Sequence, residues 1–148
     1  MATERLTPAD YRALAEFRCQ LRRFLRFSEQ VARAAGLESQ QHQLLLALKG
    51  MPEGMPATIG ALAERLQVRH HTTVGLVDRM EARGLVRRSH AGTDRRQVFV
   101  RLTSRGELMI PRLSRSHRAE LRSVAPSLLR ALDALVAERA RPLARRRR

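Results

Sequence analysis

Aromatic side chains are scarce in this chain of 148 residues: they make up 3% of it, and tryptophan is absent. A core must therefore be built from Leu, Val and Ala, and the ring platforms on which single-stranded nucleic-acid binders stack bases are missing. Cysteine is limited to Cys19, which excludes an intrachain disulfide and a Cys-rich metal knot. No apolar run approaches the roughly 18 residues that a membrane span needs. The opening stretch MATERLTPADYRALAEF is charged and amphipathic rather than signal-like, so a cytoplasmic protein without a membrane partner is expected. Enzyme signatures are also lacking: there is no G-x-S-x-G, P-loop, zinc-protease helix or dinucleotide fingerprint. No catalytic residue, cofactor or metal is expected. His70 and His71 are adjacent, so their side chains point about 100° apart on a helix, with no acidic or Cys partner at ligand spacing.

What the chain does have is positive charge. Basic residues number 29 against 14 acidic ones, a net charge of +15, while the apolar share of 43% is ordinary for a globular domain. Lys49 is the only lysine; every other basic residue is arginine, whose planar donor fork suits phosphate and base edges. A genome-wide codon bias produces the same preference. The charge points to a polyanion, with nucleic acid ahead of an anionic membrane surface, because the arginines are spread around the helices rather than gathered on one face. Segment 62–105 carries ten arginines against four carboxylates, the densest basic stretch once the terminal run Arg145 to Arg148 is set aside.

Periodicity divides the chain further. Pro8-Ala9-Asp10 opens a helix with Leu14, Phe17, Leu21 and Val31 at helical spacing, and Gly36 stops it. A second helix spans about Ser39 to Lys49, and a loop rich in Pro and Gly follows. Ala57-Thr58-Ile59 suits a very short strand, with Thr58 as the N-cap of the next helix. Ile59, Leu62, Ala63 and Leu66 predict that short helix. A break at Gln67-Val68-Arg69 then leads to a helix from about His70 to Arg83, whose buried stripe is Thr73, Leu76, Val77 and Met80. Two helices with so short a break read as a helix-turn-helix. Residues 85–89 and 97–102 change to strand character around a turn-rich loop, a β-hairpin wing. Ser104 and Glu107 are spaced as a capping box for a helix to about Ser123, with Pro111 inside it. Ala125-Pro126-Ser127 starts a last helix carrying Leu128, Leu129, Leu132, Leu135 and Val136. The fold class is mainly α with a small β-hairpin wing: a winged helix-turn-helix plus a helical dimerisation region. Three segments are expected: N-terminal helices over 1–50 for dimerisation, a winged helix-turn-helix lobe over 51–105, and C-terminal dimerisation helices with a basic tail over 106–148. Packing amphipathic terminal blocks against a second subunit buries their stripes, and a two-fold dimer is the commonest way to do so.

The sequence resembles the MarR family of winged-helix transcriptional regulators. The residues that carry the resemblance are Thr58 to Leu66, then Thr72 to Val86, then Asp94-Arg95-Arg96, which matches the family's D-x-R, and Leu102-Thr103-Ser104-Arg105-Gly106, which matches its L-T-x-x-G. The likeness is specific from about 56 to 106 and covers about 10–140. It implies a homodimer on double-stranded DNA with a recognition helix in the major groove and a wing in the minor groove. Arg69, His70, His71, Thr72 and Gly75 would then face base edges, and Val74 a thymine methyl. Arg79 and Arg83 would reach phosphates. Arg96 at the wing, with Arg95, Arg88 and the orienting Asp94, would serve the flanking minor groove. Gly75, His70 and His71 depart from the residues many members carry, which puts the operator sequence in doubt.

The resemblance further implies a repressor released from a palindromic operator by a small ligand. Arg18 and Arg22, one turn apart, would clamp a carboxylate, and His42 sits where relatives often face the effector crevice; the expected effector is small and anionic, with an aromatic acid one version. A surface ion-pair face and a satisfied core histidine are the plain alternatives. Cys19 allows a redox-sensing regulator, although a lone helix cysteine is ordinarily a small hydrophobe. A nonspecific architectural DNA-binding protein is the other alternative.

Overall fold

Helix boundaries in this chain are set by a few side chains at each end. The computed structural model describes residues 5–90 and 96–137. The order is α1 (Pro8–Ala34), α2 (Ser39–Lys49), α3 (Ile59–Leu66), α4 (His70–Ala82), β1 (Val86–His90), β2 (Val98–Leu102) and α5 (Ser104–Val136). Contacts divide the chain into two units, Arg26–Ala119 on one hand and Met1–Leu25 with Glu120–Arg148 on the other. Their limits fall inside α1 and α5.

At the start of α1 the Thr7 N–H donates to Asp10 Oδ2 at 2.7 Å, and Pro8 takes the first helical position, where its missing N–H costs nothing. The helix ends as the sequence predicts. Gly36 adopts φ +76°, and the Leu37 N–H reaches back to the Ala32 carbonyl at 2.9 Å, so the last carbonyls are satisfied through a left-handed residue. Thr58 caps α3 by accepting from the Ala61 N–H at 3.1 Å. Its own strand is a single bridge to Phe99, extended by the Val100 N–H donating to the Ala57 carbonyl at 2.9 Å.

The core of the unit Arg26–Ala119 is aliphatic, as the scarcity of rings dictates. Leu44 and Leu45 of α2, Leu62 of α3, Leu76, Val77 and Met80 of α4, and Val100 of β2 are essentially inaccessible. They form one cluster with Leu85, Val86, Ile110 and Leu113. Each large-to-small change there costs about 2–5 kcal/mol. The hairpin is antiparallel, with Val86 opposite Leu102 and His90 opposite Val98.

Two expectations at α5 are corrected. Ser104 is the first residue of the helix, and the cap is Thr103, whose hydroxyl accepts from the Gly106 N–H at 3.2 Å and donates to the Gly84 carbonyl at 2.6 Å. The Glu107 carboxylate, expected to close a capping box with Ser104, pairs instead with Lys49 of α2 at 2.6 Å. The helix also does not break near Ser123. The inward positions Ile110, Leu113, His117, Val124 and Ala131 keep helical spacing straight past Pro126, so the proline's one lost backbone bond is outweighed.

In the other unit the first part of α1 and the last part of α5 leave many apolar side chains uncovered. Leu6, Tyr11, Leu14, Leu21, Leu25, Leu121, Leu129, Leu132 and Val136 are all exposed, far more than its buried Val124 and Ala131.

Gly106 explains the spacing of L-T-x-x-G. A Cβ there would fall 2.2 Å from the Leu85 carbonyl oxygen, a backbone atom that itself accepts from the Thr103 N–H at 3.1 Å. Gly106→Ala is therefore expected to destabilise the protein by about 1–3 kcal/mol, read as a lowered Tm in thermal denaturation; an unchanged Tm would show that the junction yields freely.

Candidate nucleic-acid interface

The wing and α4 are brought together by the turn at Gly84, which takes φ +67° while the Leu85 N–H closes back on the Met80 carbonyl at 3.0 Å. The buried stripe of α4 is Thr73, Leu76, Val77 and Met80, the four residues the sequence predicts. With that face fixed, helical geometry turns the rest outward: Arg69, His70, His71, Asp78 and Arg79 are exposed, and Thr72, Val74 and Gly75 are half-buried. Thr73 adds a local anchor, donating its hydroxyl to the Arg69 carbonyl at 3.2 Å.

His70 at the start of α4 and Arg96, in the loop between the wing strands, line one open groove of about 380 Å³, together with Thr58, Ile59, Gly60 and Gln97. His70 and Arg96 thus share one side of the unit. Asp94 and Arg95 lie outside the described residues. The hairpin's outer face carries Arg87 directly opposite Arg101, both exposed. Like charges so placed repel, and an anion laid across them relieves the repulsion.

Arg79 and Gly75 act as a pair that sequence reasoning did not see. A Cβ on Gly75 would meet Arg79 Nη1 at 3.5 Å, so the guanidinium lies back along the helix over the glycine. The i, i+4 spacing was visible; the rotamer was not.

Other arginines are occupied within the fold. Arg88 Nη2 pairs with Asp78 at 2.5 Å and Nη1 with Glu81 at 2.6 Å, while its backbone N–H donates to the other Glu81 oxygen at 2.8 Å. These bonds fasten β1 to the exposed side of α4. They hold the Glu81 carboxyl below its ordinary range, the backbone N–H of Arg88 contributing most. Burial works against the Arg88 charge, yet the hydrogen bonds to Asp78 and Glu81 raise its pKa on balance. Arg83, read as a phosphate contact, donates instead to Gln41 Oε1 and to the Gly36 carbonyl, both at 2.8 Å.

Of the effector candidates, Arg18 and Arg22 are exposed on α1, as is Cys19, and fall in one unit; His42 falls in the other and is only 1% exposed. Neither His42 ring nitrogen has a hydrogen-bonding partner among the described residues, and the ring stacks on His117 with centroids 4.5 Å apart. His117 is a residue that sequence reasoning misses, though its position one turn beyond Leu113 on the apolar stripe of α5 signals that it points inward. No group of three or more metal-ligating side chains occurs among the described residues, and none of their helices is long and apolar enough to cross a membrane.

Comparison with known proteins agrees with this geometry. Residues 35–97 match the model of the MarR family. An uncharacterised HTH-type transcriptional regulator of Bacillus subtilis, YfiV, is 44% identical over 45 residues, a match that spans 30% of this chain and 28% of that protein. Among solved structures, AbsC of Streptomyces coelicolor, a MarR family transcriptional regulator, superposes with a TM-score of 0.71 at 26% identity, over 88% of this chain and 91% of AbsC. A MarR family protein from Bacillus stearothermophilus gives 0.61 at 28% identity, over 77% and 80% of the two chains. The helix-turn-helix, the wing that follows it and these likenesses together support a MarR family winged-helix transcriptional regulator.

Proposed function

We propose that the protein is a homodimeric, sequence-specific repressor that binds a palindromic operator in double-stranded DNA and is released by a small anionic ligand. The observation that carries the reading is the groove shared by His70 and Arg96, which has the first turn of α4 and the loop between the wing strands on one side of the unit. A helix inserted in the major groove then brings the wing to the neighbouring minor groove. Arg69, His70, His71, Thr72, Val74 and Gly75 read bases, Arg79 binds a phosphate, and Arg96 enters the minor groove with Arg95 and Asp94 beside it. Arg88 serves as a positioning residue. The uncovered leucines of α1 and α5 supply the dimer interface, since apolar exposure on that scale marks an association surface. Two half-sites about one helical turn apart follow from such a dimer.

Selection of duplexes from a random library, followed by footprinting, tests this reading. The expected result is a discrete palindromic protection, bound roughly 10³-fold or more tightly than random DNA. Recovery of unrelated sequences with equal affinity would establish an architectural binder instead.

Arg79 and Arg88 make different predictions on the selected duplex. Arg79→Ala should weaken binding and lower the slope of log K against log salt by about 1, the signature of one lost phosphate contact. Arg88→Gln should weaken binding with the slope unchanged, because it releases the wing from α4 rather than a phosphate. Equal slopes for the two variants would refute the division of roles.

Arg18 and Arg22 are the proposed carboxylate clamp of the effector. In calorimetry with salicylate as the probe, Arg22→Ala is expected to lower the affinity about tenfold or more, as loss of a charge-assisted hydrogen bond would. Equal affinity of wild type and variant would remove the clamp.

A further inference from the structure

The unit that carries α4 contains a buried polar cluster that DNA binding does not use. His117 Nδ1 lies 2.6 Å from the Leu113 carbonyl, and its Nε2 lies 2.7 Å from Ser28 Oγ. A carbonyl only accepts, so Nδ1 carries the proton in the neutral ring and Nε2 accepts from the serine hydroxyl. His42 differs. It is 1% exposed, packs face to face on His117 at 4.5 Å with 23° between ring planes, and has a partner for neither nitrogen. Phe27 of α1 closes the cluster with its ring edge-on to His117 at 6.0 Å.

Among the described residues no carboxylate pairs with the His42 ring. His117 is the titratable group that faces it. On α3, α4 and β2, which pack against α2, the ionisable chains Glu64, Arg65, Asp78, Arg79 and Arg101 are exposed, and Glu81 is held by Arg88. Around it on α1, α2 and α5, Glu29 pairs with Arg33 and Lys49 with Glu107 at the surface. Burial, and then the neighbouring His117, pushes the His42 imidazole down to about 4.

We propose that the stacked His42–His117 pair is a proton-operated latch: acidification charges His42, the ring leaves the stack, and α2 loosens behind the DNA-reading helix. The latch rests on the regulator reading for its consequence, though not for its operation. The sign follows from linkage. A histidine whose folded value lies below its ordinary 6.5 gives stability that is complete above 6.5 and is lost as pH falls towards 4. At pH 5.5 the ratio of opened to closed latch rises about tenfold over that at neutral pH.

The test combines two measurements between pH 7.5 and 5.5 at constant ionic strength, on wild type, His42→Gln and His42→Leu. Hydrogen exchange of the α2 amides, corrected for intrinsic rates, is expected to lose about tenfold protection in wild type and to stay level in both variants. Fluorescence anisotropy with the selected duplex is expected to show weaker binding of wild type over the same range, with the variants binding equally or more tightly. Constant α2 protection in wild type, or variants that follow its profile, would overturn the proposal. Should both variants misfold, the ring nitrogen shifts of wild type decide: His42 neutral until α2 opens upholds the latch, and protonation within an intact stack refutes it. Failure to select any duplex defeats the regulator reading, while the exchange result still judges the latch.

Discussion

Helix α4 must be held from one side only. Thr73, Leu76, Val77 and Met80 lock it to the core, and its exposed first turn, Arg69 to His71, is left available. Because the core is aliphatic, this hold is close packing without direction, so orientation comes from polar bonds at the helix ends. Gly84 and the Leu85 N–H fix the exit, and Arg88 fixes the following strand against Asp78 and Glu81. The exposed first turn and the wing inherit their relation from these few contacts.

The arginine excess takes on a different meaning with the structure in hand. A net charge of +15 suggests a surface given over to polyanion contact. Yet Arg83 and Arg88 are structural ties, and Arg65 and Arg105 reach the backbone carbonyls of Gly50 and Arg83. A planar fork that suits phosphate equally suits carbonyls and carboxylates inside a fold. Charge count alone therefore overstates the number of arginines facing a ligand.

Much of the fold was legible because its signals are local. The stripe of α4, the glycine stops at Gly36 and Gly84 and the cap at Thr58 each follow from a few neighbouring residues. At α5 two signals competed. Ser104 with Glu107 has the spacing of a capping box, but Thr103 also contacts Gly84 far back in the chain, and that contact cannot be read from spacing. Pro126 looked like a boundary, whereas the apolar period running through it prevails. On the candidate interface, sequence alone could name His70 and Arg96, but their common groove depends on folding. The stacking of His42 on His117 joins positions on two distant helices, and no local pattern encodes it.

Gln41 has a consequence for how the sequence can change. Its one side-chain oxygen accepts from the Glu38 N–H at 3.0 Å and from Arg83 at 2.8 Å, so the start of α2 and the end of α4 share an acceptor. Neither position can drift alone without orphaning a donor on the other. Substitutions at 41 and 83 should thus appear together among descendants of this chain, while the outward residues of α4 vary independently of both.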